Sequence, residues 1–284
     1  MLERLHEMRF IGPALTAVKR VVYSVTGGLS RRERLMRRYV RGSGLEIGAF
    51  DAPYRHPPGL KVRYVDRFTV EQSKRLYPEL AKLRPVPVDV IDDVEYLRTI
   101  PDASQDFVVA NHVLEHLQNP LQALSTIFRV LKPGGVACLA VPDRRRCFDS
   151  GRPPTPFSHL ARDYREGPAH GEWSHYQEYA TLVDKARTDR ERDERALALQ
   201  STGYPIHFHC WSPAEALVML LGAQEVLGIE FELELAAQDV FRTVSEVLFV
   251  LRKPADNLGG RRLNGVFAEP KSEPAAREGG SFLE

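Results

Sequence analysis

Residues 44–53 read GLEIGAFDAP, and the fold turns on how this stretch is taken. Its first half is a short apolar strand. Its second half is a tight loop, with the carboxylate of Glu46 two residues before Gly48. Ligand sites of open α/β sheets sit at such strand ends. The glycine-rich run that cradles a pyrophosphate is missing, because Ala49, Phe50 and Asp51 come next. Two readings stand: a cofactor loop with few glycines, or a strand and a turn.

The flanking sequence alternates strands and helices. KVRYVDRF (61–68) reads as a second strand ending on Asp66, and TVEQSKRLYPEL (69–80) as a helix with Thr69 as its cap. RPVPVDVIDD (84–93) is a third strand closing on paired acids, and DFVVAN (106–111) a fourth. In 119–135, Leu121, Leu124, Ile127, Phe128 and Leu131 keep helical spacing until Pro133-Gly134-Gly135 stops them. VACLAVPD (136–143) is a fifth strand. A helix over 212–224 follows, with Ser212 as cap and Pro213 in first position. FELELAAQDV and SEVLFVLRK then read as an antiparallel pair at the sheet edge. This order predicts an α/β fold: a doubly wound, seven-stranded, mostly parallel sheet.

Composition marks further segments. Residues 1–42 form a basic helical arm, with arginines at 4, 9, 20, 31, 32, 34, 37, 38 and 41 against three glutamates. The core runs over 43–143. Residues 144–211 break the rhythm and read as a lid insertion. Residues 212–253 complete the core, and 254–284 read as a disordered tail. The net charge of +1 gives no general argument for nucleic acid. Cys138, Cys147 and Cys210 have no metal-ligand spacing and suit a reducing, cytoplasmic compartment. No stretch has the ~20 apolar residues of a membrane helix.

Four strand ends carry polar groups in order: Glu46-Ile47-Gly48, Asp66, Asp92-Asp93 and Asn111-His112. An acid about 20 residues after the first loop suits two ribose hydroxyls. Acids after the third strand suit an adenine amino group. Gly48 lets backbone approach a ligand. Ala49 and Arg67 adjoin these positions and complete the expected cofactor set.

The segments GLEIGAFDAP, RYVDRF, VDVIDD, DASQDFVVANHVLEHLQNP and FRVLKPGGVACLAVPD span 44–143. In order and spacing they resemble a class I S-adenosylmethionine-dependent methyltransferase of the small-molecule type. The most specific block is DFVVANHVLEH…LKPGG. The loop departs from the family's Gly-x-Gly-x-Gly. It is similar instead to a subgroup with LEIG and a following proline, met among methyltransferases near surface-glycan biosynthesis. The resemblance implies a Rossmann-like methyltransferase fold and S-adenosylmethionine as cofactor. That cofactor has no phosphates, so one glycine can suffice.

Candidate bases fall in two places. In NHVLEH, a helix would put His112 and His116 one turn apart on one face. His112, nearer the strand end, is the expected contact to the acceptor. Relatives with a similar LEH in quinone biosynthesis hold a divalent metal there. Here only Glu115 and His116 match, His112 stands where they have an acid, and no metal is expected. In PDRRRCFD, Asp143 is the second catalytic candidate, and Arg144 and Arg145 suit an anionic substrate. HGEWSHYQEY (170–179) and HFHCW (207–211) carry materials for a sugar or aryl pocket. His207 and His209 point the same way on a strand and join the substrate set.

The expected function is O- or N-methylation of a small molecule or sugar, with the basic arm as a point of peripheral membrane or protein contact. Two alternatives stand. One is a non-catalytic module in a glycan-assembly complex. The other, a nucleic-acid methyltransferase, lacks both a broad basic surface and an Asn-Pro-Pro-Tyr-type site.

Overall fold

The computed structural model describes residues 30–76, 82–239 and 245–255. The expected tail and most of the basic arm lie outside them. A short helix, α1 (Arg31–Met36), leads into β1 (Ser43–Ile47), β2 (Lys61–Asp66), α2 (Val70–Leu76), β3 (Val90–Ile91) and β4 (Gln105–Asn111). Then come α3 (Pro120–Val130), β5 (Leu131–Pro142), α4 (Phe157–Glu166), α5 (Glu172–Leu182), α6 (Asp189–Ser201) and α7 (Pro213–Leu227). Two strands, β6 (Glu232–Asp239) and β7 (Glu246–Arg252), close the sheet.

The sheet has seven strands in the order β3-β2-β1-β4-β5-β7-β6. The first five are parallel, and β7 lies antiparallel between β5 and β6. The order reverses between β1 and β4. A doubly wound sheet opens its ligand crevice at that point, beyond the carboxyl ends of the strands.

The alternation along β4 divides the core. Val108 and Ala110 enter the larger apolar cluster with α3 and α7, while Phe107 and Val109 face Met36, Val40 and Tyr54 on the other side. In α3, Asn119 accepts from the Gln122 amide and Pro120 takes the first position. α7 opens with a capping box of Ser212 and Glu215.

One expectation changes in detail, and one crossover is irregular. The third strand shrinks to Val90–Ile91, since Pro85 and Pro87 have no N–H for a ladder. No helix joins β1 to β2. Residues 48–60 cross over as an irregular loop, because Pro53, Pro57 and Pro58 deny a helix its donors.

The 144–211 insertion packs against the core through α4. A Cβ at Gly222 of α7 would meet the Phe157 ring at 2.6 Å, so this glycine permits the close approach. Tyr176, Tyr179, Ile206 and Phe208 form the insertion's own small core. The tyrosines expected to line an aryl pocket are therefore packed inside it. The charged run is solvated: α6 buries only Ala196.

Candidate functional site

At the end of β1, Gly48 has φ +65, and a Cβ there would come 3.2 Å from Val113. Its N–H donates to the Val65 carbonyl at 3.0 Å, tying the loop to β2. Glu46 is turned inward. Its carboxylate accepts from the Tyr54 amide and lies against the His56 ring, each at 2.6 Å. Glu46 thus folds the 48–56 loop over the strand, where sequence reasoning had it face a ligand.

Asp66 ends β2 and accepts from the Phe68 amide at 3.3 Å. Burial raises its pKa. A small cleft opens beside it, lined by Phe50, Tyr64, Val70, Ser73 and Val86. Asp92 and Asp93 separate cleanly. Asp92 accepts from the Thr99 amide at 2.8 Å and hydroxyl at 2.6 Å, which closes its own loop. Burial opposes the charge on Asp92, but these hydrogen bonds prevail and lower its pKa. Asp93 is half-exposed, with Arg67 3.6 Å away. At the end of β4, the Asn111 Oδ1 is buried without a hydrogen-bond partner among the described residues.

His112 follows at φ +55, a left-handed conformation uncommon outside glycine. Its Nε2 lies 2.6 Å from Glu246 Oε2, and that oxygen accepts from Arg32 at 2.9 Å. Burial disfavours the charged imidazole, but Glu246 and nearby Glu115 outweigh it and raise the His112 pKa. Glu246 and Arg32 carried no signal in sequence, being far from His112 along the chain. The expected helix through His112 and His116 is only a single 3-10 turn, Leu114–His116. The two histidines therefore do not share a helical face.

His116 belongs to another group. Its Nδ1 lies 3.0 Å from the Pro205 and Ile206 carbonyls, so Nδ1 carries the proton and Nε2 the lone pair. His207 Nδ1 lies 2.6 Å from Asp149, itself paired with buried Arg152. Beside these rings, which meet edge to face, is Glu115, fully buried, with neither oxygen hydrogen-bonded among the described residues. Glu115, His116 and His207 bring three ligand atoms within 4.8 Å of one another. Glu115 and His116 are the pair that the sequence singles out for a metal reading it does not favour; His207 joins them from the insertion, and no local pattern links it to them.

Other candidates are corrected. Both Asp143 oxygens are held by the Arg145 guanidinium, at 2.9 and 2.8 Å. That pairing lowers the Asp143 pKa and removes it as a base. Arg145 is equally committed. Arg144 donates to the Arg152 carbonyl at 2.8 Å and lies 3.5 Å from Glu215, so it too is structural. His209 is fully buried and joins a different cluster from His207. Neither the charge pair nor the strand spacing survives as an acceptor site.

Residues 61–139 match the model of a methyltransferase domain. Over that span the chain is similar to the S-adenosylmethionine-dependent methyltransferases. Over 60 residues, 20% of this chain and 23% of its relative, it is 48% identical to a probable S-adenosylmethionine-dependent methyltransferase of Mycolicibacterium smegmatis. It is 31% identical over 117 residues to an uncharacterized protein of Methanocaldococcus jannaschii, covering 40% of this chain and 52% of the other. The chain thus spans about half the length, or less, of these curated relatives. Among solved structures, a possible histamine N-methyltransferase of Thermotoga maritima aligns with TM-score 0.43 and 16% identity, over 78% of this chain and 87% of that one.

S-adenosylmethionine is the cofactor of the methyltransferases that this core resembles, and the residues present fit it. Gly48 leaves backbone open at the crevice. Asn111 has an unpartnered oxygen there, and Asp66 and Asp93 bring carboxylates to neighbouring strand ends. No helix among the described residues is long and apolar enough to cross a membrane.

Proposed function

We propose that this protein transfers the methyl group of S-adenosylmethionine to oxygen or nitrogen of a small molecule or glycan intermediate, with a sugar hydroxyl as the favoured acceptor. One observation carries the reading: a partly exposed histidine, His112, is oriented by a buried carboxylate at the crevice where the strand order reverses. When bound, the cofactor supplies an electrophilic methyl group on a sulfonium.

In this reading Asp66 accepts from the ribose hydroxyls and Asp93 from the adenine amino group. Backbone at Gly48 and Ala49, with the Asn111 side chain, holds the amino-acid end. Glu46 and Asp92 keep their loops in shape. Glu246 accepts from His112 Nε2, which leaves the lone pair on Nδ1 to take the acceptor's proton. Orientation of a base by a carboxylate is a recurring catalytic device. A cytoplasmic site of action, with the basic N-terminal segment meeting a membrane or protein, belongs to the same reading.

The test is release of S-adenosylhomocysteine with a panel of sugars, nucleotide sugars and aryl alcohols, and with cell-envelope extract. Release by the native protein, lost in His112→Ala with cofactor binding intact, supports the proposal. Binding without release on every acceptor supports the non-catalytic module instead.

A second reading has its own observation, the buried Glu115 carboxylate, which makes no hydrogen bond among the described residues and lies beside His116 and His207. A divalent ion held there would polarise the acceptor oxygen. Chelator-sensitive release that magnesium or manganese restores, and that Glu115→Gln abolishes, would favour it.

A further inference from the structure

The insertion brings together three imidazoles from separate stretches: His159 on α4, His175 on α5 and His209 on the extended segment before α7. Their ligand atoms all lie within 4.8 Å of one another. The ring centroids form a near-regular triangle of 5.0, 5.1 and 5.6 Å sides. His159 Nε2 and His175 Nε2 are 3.1 Å apart, close to the separation of two ligands on one tetrahedral ion. Hydrophobic packing gives no reason for three imidazoles to converge.

The tautomer of His209 is fixed by its surroundings. Its Nε2 lies 3.3 Å from the Gln118 carbonyl, which can only accept, so Nε2 carries the proton. The lone pair is then on Nδ1. That atom is buried and has no hydrogen-bond partner among the described residues. A buried acceptor left unpartnered is costly unless something else occupies it. A metal-bound histidine donates its other ring N–H to a carbonyl or carboxylate in this same way.

A fourth donor is at hand. Asp163 lies one helical turn after His159 and is buried, with Oδ2 3.0 Å from His159 Nε2. Three imidazoles and one carboxylate make a donor set for zinc.

We propose that His159, His175, His209 and Asp163 bind one zinc ion, which clamps the insertion to the sheet. The site is distinct from Glu115, His116 and His207, shares no residue with them, and does not depend on the methyl-transfer reading. With the Asp163 carboxylate swung from His159 onto the ion, four protein donors fill the tetrahedral positions, so the role is structural. The clamp reaches the sheet through Trp211. This ring stacks on His209 at 5.8 Å, and its carbonyl accepts from the Arg144 amide at 2.9 Å beyond β5. Metal binding requires the lone pair of His159 at Nε2. The exposed Arg162, now 3.2 Å from Nδ1, then rotates away to leave room for an N–H there.

The full-length chain, stripped with chelator and dialysed, would be titrated with zinc chloride and with cobalt(II) chloride. Expected results are one metal per chain, an intense tetrahedral cobalt absorption, and a melting temperature that rises with zinc. His159→Gln and Asp163→Asn should each weaken zinc binding by about tenfold or more, while Glu115→Gln leaves it unchanged. Circular dichroism checks the folding of each variant, and the cobalt spectrum of the native chain needs no variant. Absence of the tetrahedral cobalt spectrum overturns the proposal. So does zinc binding that survives in folded His159→Gln and is lost in Glu115→Gln.

Discussion

The Glu246 carboxylate lies 2.6 Å from the His112 imidazole, across a sequence separation of 134 residues. β7 is inserted antiparallel beside β5, which brings its first residue, Glu246, next to Pro142 at the carboxyl end of the parallel strands. Arg32 from α1 closes the chain of charges.

The pairing predicts how His112 titrates. Its pKa is raised above the ordinary 6.5, although burial alone would lower it. In Glu246→Gln the imidazolium loses its partner, so the midpoint should fall. Histidine-resolved NMR titration of the two proteins checks this, and an unchanged midpoint would mean that Glu246 does not act on the ring. The stability linked to the pair follows from the same sign. It is fully present below the unfolded pKa near 6.5 and is lost as pH rises through the higher folded value.

His112→Ala should reduce methyl transfer by about 10²–10⁴-fold if proton removal limits the rate. Affinity for S-adenosylmethionine, measured by calorimetry, should stay within about twofold, because the proposed ribose and adenine contacts, Asp66 and Asp93, lie on other strands. Loss of affinity together with turnover would assign His112 to the cofactor.

Asp66→Ala should weaken cofactor binding more than tenfold, in line with roughly 1.5–3 kcal/mol for hydrogen bonds to a charged group. Asp93→Ala should also weaken it. Asp92→Ala should lower the melting temperature and affect affinity only through that loss, since Asp92 holds Thr99. Calorimetry and thermal melts on the three variants separate these roles, and a stable Asp92→Ala with weakened binding would reverse the assignment.

Glu46→Gln tests the loop. The amide can still accept from the Tyr54 N–H but forms a weaker contact with His56. Glu46→Ala loses both and should destabilise the protein by roughly 1–3 kcal/mol. Urea unfolding measures both variants. Equal stability of Glu46→Ala and the native protein would show that the 48–56 loop is held by other contacts.

The strand-helix alternation, and with it the doubly wound core, was legible in the sequence because hydrophobic period, caps and turn residues act locally. Leu121, Leu124, Ile127 and Phe128 line one helical face whatever surrounds them, and Asn119 with Pro120 starts that helix. The strand-end acids could be read for the same reason, since position on a parallel strand fixes which edge a residue reaches. Partners could not. Glu46 met Tyr54 and His56, and Asp143 met Arg145, because a carboxylate leaving water takes the nearest donor once the chain is folded. His207 and His209, two residues apart in an apparent strand, went to separate clusters built from α4, α5 and the turn after β4. Tertiary structure alone decided which imidazole met which carboxylate, because those contacts close over long stretches of chain on which no local period reports.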